Sequence, residues 1–135
     1  MKTIKCLVLL AFSLTLMVTS CKKDDKTPMT KSEMLTAKSW KLSSSKTNGV
    51  VDVLDDCDKD DFIKLASNGT YTYNPGSNKC DPSETTDTGT WSLSSDEKSI
   101  IIDGQSATIV ELTESKFVYS ISAGGYTYEA TLVSF

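Results

Sequence analysis

Between Ser39 and the C-terminus lie several runs in which apolar residues recur at every second position, most of them separated by short turn signals. Trp40 and Leu42 alternate with Lys41 and Ser43, Tyr71 and Tyr73 with Thr70 and Thr72, and Trp91 and Leu93 with Thr90 and Ser92. Tyr126, Tyr128, Ala130 and Leu132 alternate with Thr127, Glu129 and Thr131. A period of two sends successive side chains to opposite faces, so each run reads as a strand with one dry and one wet face. Turn chemistry falls between them at Asn68-Gly69, Ser94 to Lys98, Asp103-Gly104, Thr113 to Ser115 and Ala123-Gly124-Gly125. Such short connections join antiparallel neighbours. Eight strands are predicted, over 39–46, 60–66, 70–74, 88–93, 99–103, 105–112, 116–122 and 126–134. Eight meandering strands lose their exposed edges by closing into an up-and-down barrel, so the expected fold is all-β, an eight-stranded antiparallel up-and-down barrel. An open sandwich is the alternative. Ahead of the strands, Thr30-Lys31-Ser32-Glu33 has the spacing of a capping box, which opens a short N-terminal helix with Met34 and Leu35 as its apolar contacts.

The N-terminus has a different character. Lys2 and Lys5 precede Cys6 to Val18, an apolar run of 13 residues, which is short for a bilayer span and right for the core of a signal peptide. The segment ends Val18-Thr19-Ser20-Cys21 and resembles the lipobox of bacterial lipoproteins, in which the cysteine thiol is acylated. Residues 1–20 are therefore expected to be a lipoprotein signal peptide, with Cys21 the lipid-carrying residue and the membrane its first partner. Several acyl chains make such attachment stable where one would be marginal. Lys22-Lys23-Asp24-Asp25-Lys26 follows with no apolar residue, so residues 21–29 read as a charged tether ahead of a domain over 30–135. Lys23, Asp24 and Asp25 also resemble the export signal that sends Bacteroidota-type lipoproteins to the outer face of the outer membrane. Surface exposure is the expectation, and the periplasmic face is the alternative.

Charge and residue usage exclude several functions. Without Lys2 and Lys5 the 14 basic residues fall to 12 against 18 acidic ones, a net charge of −6. That argues against nucleic acid as a partner. Arginine and histidine are absent, which removes the forked anion binder and the side chain best placed for proton transfer near neutral pH. There is no triad, no Gly-x-Ser-x-Gly elbow and no phosphate-cradling glycine loop, so no enzyme is expected and no cofactor is implied. Cys57 and Cys80 remain as a pair in an oxidising compartment, from which a structural disulfide is inferred. Closing a loop of about 24 residues contributes roughly 3 kcal/mol on the chain-entropy model. A redox or metal pair is the alternative, but the spacing is not Cys-x-x-Cys. Asp56, Asp58 and Asp60 alternate as calcium-loop ligands do, yet Asp61 stands where the turn glycine belongs and Ser67 where the twelfth-position glutamate belongs. A solvated acidic loop is preferred, with no metal assigned.

The succession of a short helix, Lys38-Ser39-Trp40-Lys41-Leu42, the acidic segment Asp55 to Asp61 around Cys57, Ser67-Asn68-Gly69-Thr70-Tyr71, Cys80 and Gly89-Thr90-Trp91-Ser92-Leu93 resembles the lipocalin-like lipoproteins of the Bacteroidota. Lipocalins proper place Gly-x-Trp on the first strand, where this chain has Lys38. The resemblance implies a barrel that binds a small hydrophobic ligand. Trp40, Tyr71, Tyr73, Trp91, Phe117, Tyr119, Tyr126 and Tyr128 lie on the predicted apolar faces and are the candidate interior. They line a cavity if the barrel is hollow and form the core if it is filled. Strands shorter than those of typical lipocalins, and large inward residues, weigh toward the filled form. A filled barrel would instead present loops, above all residues 74–87, to a surface protein or glycan partner. A monomer is the expected state.

Overall fold

The computed structural model describes residues 27–135. The signal peptide, Cys21 and the tether as far as Lys26 lie outside the described residues. Thr30 opens α1 (Lys31–Thr36) with the expected capping box: its hydroxyl accepts from Glu33 N, and the Glu33 carboxylate accepts from Thr30 N at 2.7 Å. Two otherwise unpaired amides of the first turn are thereby satisfied. The helix is too short to stand alone and is held by burial of Leu35.

Nine strands follow: β1 (Ser39–Thr47), β2 (Val50–Val51), β3 (Phe62–Leu65), β4 (Thr70–Asn74), β5 (Asp87–Leu93), β6 (Ser99–Ile102), β7 (Gln105–Leu112), β8 (Lys116–Ala123) and β9 (Tyr126–Ser134). From β3 to β9 each strand pairs antiparallel with the next, and β9 returns to β1 from Trp40↔Ser134 to Thr47↔Tyr128. This closes the expected eight-stranded antiparallel up-and-down barrel, with strand ends close to those predicted. The two-residue β2 was not predicted. It folds back on β1 around Asn48 and Gly49, both at positive φ, the conformation that makes Asn-Gly a hairpin turn.

Two irregularities set the barrel's shape. Beyond Lys41, β1 leaves β3, with which it pairs only through Ser39, Trp40 and Lys41. A bulge between Leu42 and Ser44 then switches which residues face inward, from Trp40 and Leu42 to Ser45 and Thr47, as their partners Ala130 and Tyr128 on β9 require. A second bulge on β7 extrudes Val110, which is exposed, between inward Ile109 and Leu112.

One end of the barrel is plugged. Leu35, Trp40 and Leu65 are fully buried there, and Trp40 Nε1 donates to the Leu35 carbonyl at 2.9 Å. That carbonyl belongs to the last turn of α1 and has no partner within the helix. Phe117 meets Trp40 edge to face at 5.8 Å, a favoured aromatic geometry. The opposite end is bounded by the tight hairpins at Asp103-Gly104 and Gly124-Gly125 and by two long connections, residues 52–61 and 75–86. Cys57 and Cys80 join these connections in a disulfide, with Cα atoms 5.2 Å apart.

Candidate functional site

The interior is hollow. A cavity of about 500 Å³ lies among Ile63 and Leu65 of β3, Ile100 and Ile102 of β6, Ala107 of β7, Phe117, Tyr119 and Ile121 of β8, and Leu132 of β9, with Asp103 and Gln105 at its open side. A second lobe of about 310 Å³ shares Ile63, Tyr119 and Leu132 with the first. It extends over Trp40, Leu42, Phe62, Tyr73 and Tyr128 to Asp58 and Asp61 in the disulfide-tied loop. The expected filled barrel is corrected here. The inward position opposite Ile100 carries only Ala107, which lines the cavity and leaves space that the aromatic rings do not fill.

The eight candidate interior residues divide. Trp40, Tyr73, Tyr119 and Tyr128 line the smaller lobe, and Phe117 and Tyr119 the larger. Trp91 is buried with Nε1 donating to the Ala66 carbonyl at 2.9 Å and serves as core. Tyr71 packs on the core and donates to Asp103 Oδ2 at 2.7 Å. Its ring lies over Gly89, where a Cβ would come within 2.5 Å of both Tyr71 Cε1 and the Asp103 carboxylate. Tyr126 is a correction: its inward phase holds, but it sits at the tip of the β8–β9 hairpin beyond the wall and is 67% exposed. The aliphatic walls from β3, β6 and β8 were missed as site residues, because in β6 Ile100, Ile101 and Ile102 form an unbroken apolar run that does not separate inward from outward positions. The acidic rim residues Asp58, Asp61 and Asp103 carry no local signal of their place, because the loops that bring them to the mouth are set by the tertiary fold.

The electrostatics of the mouth are one-sided. The Tyr73 hydroxyl donates to Asp61 Oδ2. Burial, with the nearby carboxylates Glu84, Asp58 and Asp60, pushes Asp61 up against the opposing effect of that hydrogen bond. The Tyr73 phenol is likewise pushed up, first by burial and then by Asp61. The hydrogen bond to Asp103, with burial, pushes Tyr71 up to about 12, and burial does the same to Tyr119, also to about 12. Asp103 is held below the usual carboxylate range, first by Thr90 N at 2.8 Å and then by Tyr71.

The alternating aspartates do not converge. Asp56 pairs with Lys59 at 2.6 Å, Asp60 accepts from Ser77 N and Asn78 N at 2.8 and 3.0 Å, and Asp61 takes Tyr73. Among the described residues, Cys57, Asp58 and Cys80 alone group at ligand distance, and both sulfurs are consumed by the disulfide. No helix of the described residues is long and apolar enough to cross a membrane.

The sequence profile of the lipocalin-like domain matches residues 36–119, more than half of the chain. The chain belongs to the lipocalin-like domain family. A crystal structure of a lipocalin-like protein from Bacteroides uniformis has a similar fold, with a TM-score of 0.51 and 14% identity over 76% of this chain and 99% of that one. No curated protein matches the chain. In this lipocalin-like domain the matched segment ends within β8, and β9, which closes the barrel onto β1, lies beyond it.

Proposed function

We propose that this lipocalin-like protein is a lipoprotein, acylated at Cys21 and displayed on the outer membrane at the cell surface, whose barrel binds one small hydrophobic ligand without chemistry. The observation that carries the reading is the cavity of about 500 Å³ with aliphatic and aromatic walls, plugged at the Trp40 end and approached from the other. Ligand sites are concave, mostly apolar and of this size. The anchoring half of the reading rests on the residues Lys2 to Cys21. A second reading, a surface module for a protein or glycan partner, is favoured by the exposed Val50, Val51 and Val53 on and beside the β1–β2 hairpin.

Native mass spectrometry tests the first reading on the mature chain with Cys21→Ser, expressed in the envelope of its own host and sprayed without denaturation. A bound mass that leaves on denaturation is expected. A bare polypeptide, together with no thermal stabilisation by any member of an amphiphile panel, would overturn the carrier reading and leave the surface module.

A further inference from the structure

We infer that the ligand is an organic ammonium: an amphiphile whose cationic head occupies the smaller lobe, against Trp40, Tyr73, Tyr128 and the carboxylate of Asp61, with its apolar body in the larger lobe. This rests on the carrier reading above and names the chemistry of its ligand.

The smaller lobe combines two kinds of wall. Trp40, Tyr73, Tyr119 and Tyr128 give it four inward aromatic residues, and Asp58 and Asp61 give it two carboxylates. The negative faces of aromatic rings attract cations, and a ring cage beside a carboxylate suits an alkylated amine, which is weakly hydrated and makes few directed hydrogen bonds. Among the described residues, no cation that could serve an anionic head lines either lobe. Arginine and histidine are absent, and neither lobe is lined by a lysine. The lysines nearest in sequence are turned to other work: Lys59 Nζ is on Asp56, and Lys79 Nζ is on the Glu84 carbonyl at 2.5 Å. An acyl carboxylate would enter beside Asp58 and Asp61 with no countercharge, the costly case for a buried ion. An ammonium meets the opposite situation. Asp61 faces Asp58, Asp60 and Glu84, with only the neutral Tyr73 hydroxyl donating to it, so an incoming cation relieves like-charge crowding. The two lobes share Ile63, Tyr119 and Leu132 as walls, so a molecule with its head in one would reach the other past those three side chains.

The test titrates the mature Cys21→Ser chain with three probes of equal tail, dodecyltrimethylammonium, dodecanol and dodecanoate, each below its critical micelle concentration. Tryptophan fluorescence, from Trp40 and Trp91 together, and the melting temperature are followed in parallel. The ammonium is expected to bind at least about tenfold more tightly than the carboxylate, a difference of one decade in Kd. Asp58→Asn/Asp61→Asn should abolish that preference, whereas Glu97→Gln/Glu114→Gln, which removes the same charge from the plugged end, should leave it intact. Dodecanoate or dodecanol binding as well as the ammonium overturns the inference while the carrier reading stands. Equal loss of preference in both double variants assigns the effect to net charge and also overturns it. Binding of none of the three probes also overturns the inference, and the native mass spectrum then decides the carrier reading separately. Should the Asp58/Asp61 variant fail to fold, the ranking of probes on the unsubstituted cavity still decides.

Discussion

Replacing Trp40 by phenylalanine should loosen the plugged end of the barrel more than any other single ring-to-ring exchange. Trp40 is fully buried, and its Nε1 is the partner of the Leu35 carbonyl in the last turn of α1. Phenylalanine keeps a ring for Phe117 to meet but cannot donate, so a buried carbonyl is orphaned at a cost of about 1–3 kcal/mol. The smaller ring leaves a void among Leu35, Leu65 and Phe117, which adds about 1–2 kcal/mol for lost contacts and incomplete collapse. The expected destabilisation is about 3 kcal/mol, a large share of the stability of an ordinary domain. It should appear as a fall of about 10–15 °C in melting temperature for a domain of this length. Urea unfolding followed by far-ultraviolet circular dichroism measures it, with the slope unchanged if the native state stays closed. Trp91→Phe is the internal comparison. Trp91 Nε1 also binds a backbone carbonyl, that of Ala66 at 2.9 Å, but this bond is only partly buried, so water can take its place and about 1–2 kcal/mol is expected. A Trp40→Phe cost below about 1 kcal/mol, or below that of Trp91→Phe, would refute the argument that the indole holds α1 in the barrel.

Three further outcomes follow from named contacts. Cys57→Ala/Cys80→Ala should lose about 3 kcal/mol, the chain-entropy value for the 23-residue separation; identical melts with and without reductant would contradict it. Spectrophotometric titration should find Tyr71, raised to about 12, returned toward the ordinary phenol range in Asp103→Asn. Gly89→Ala should perturb the same phenol by forcing its ring from Asp103, and an unchanged titration would show that the ring does not lie over Gly89. Asp60 is held below the usual range first by Asn78 N and then by Ser77 N, and Asp103 first by Thr90 N. Because both are depressed in the folded state, the stability they contribute is present above the unfolded value of about 3.9 and lost as pH falls from there through the folded values. Urea midpoints between about pH 5 and 2 should therefore fall less steeply in Asp60→Asn/Asp103→Asn, and parallel slopes would count against these hydrogen bonds.

Much of the fold was legible because its determinants are local. The capping box from Thr30 to Glu33 needs only four residues. Alternation of apolar and polar residues set the phase of β1, β4, β5 and β9, and Asp103-Gly104 and Gly124-Gly125 adopt the positive φ their turns require. The Asn48-Gly49 signal was equally plain, yet the strand after it has only Val50 and Val51 and left too short a run to register. The candidate interior was read less well. Aromatic residues drew the assignment, while most of the larger cavity's wall is aliphatic. Tyr126 kept its phase but lies past the end of the wall, where alternation no longer implies burial.

Local periodicity and turn chemistry determined which segments become strands, in what order they neighbour one another, and the inward phase of each strand up to its bulges. These depend on dihedral preferences and the two-residue repeat, which act over a few residues at a time. Whether the barrel is hollow was decided only by closure. The bulges in β1 and β7, the departure of β1 from β3 beyond Lys41, and the pairing of small Ala107 with Ile100 fix how much volume the inward side chains fail to fill. Asp58 and Asp61 likewise reach the cavity mouth through a loop tied at Cys57 to a segment 23 residues away. Cavity volume and the charge at its mouth are sums over contacts between residues distant in sequence, and no stretch of chain specifies them alone.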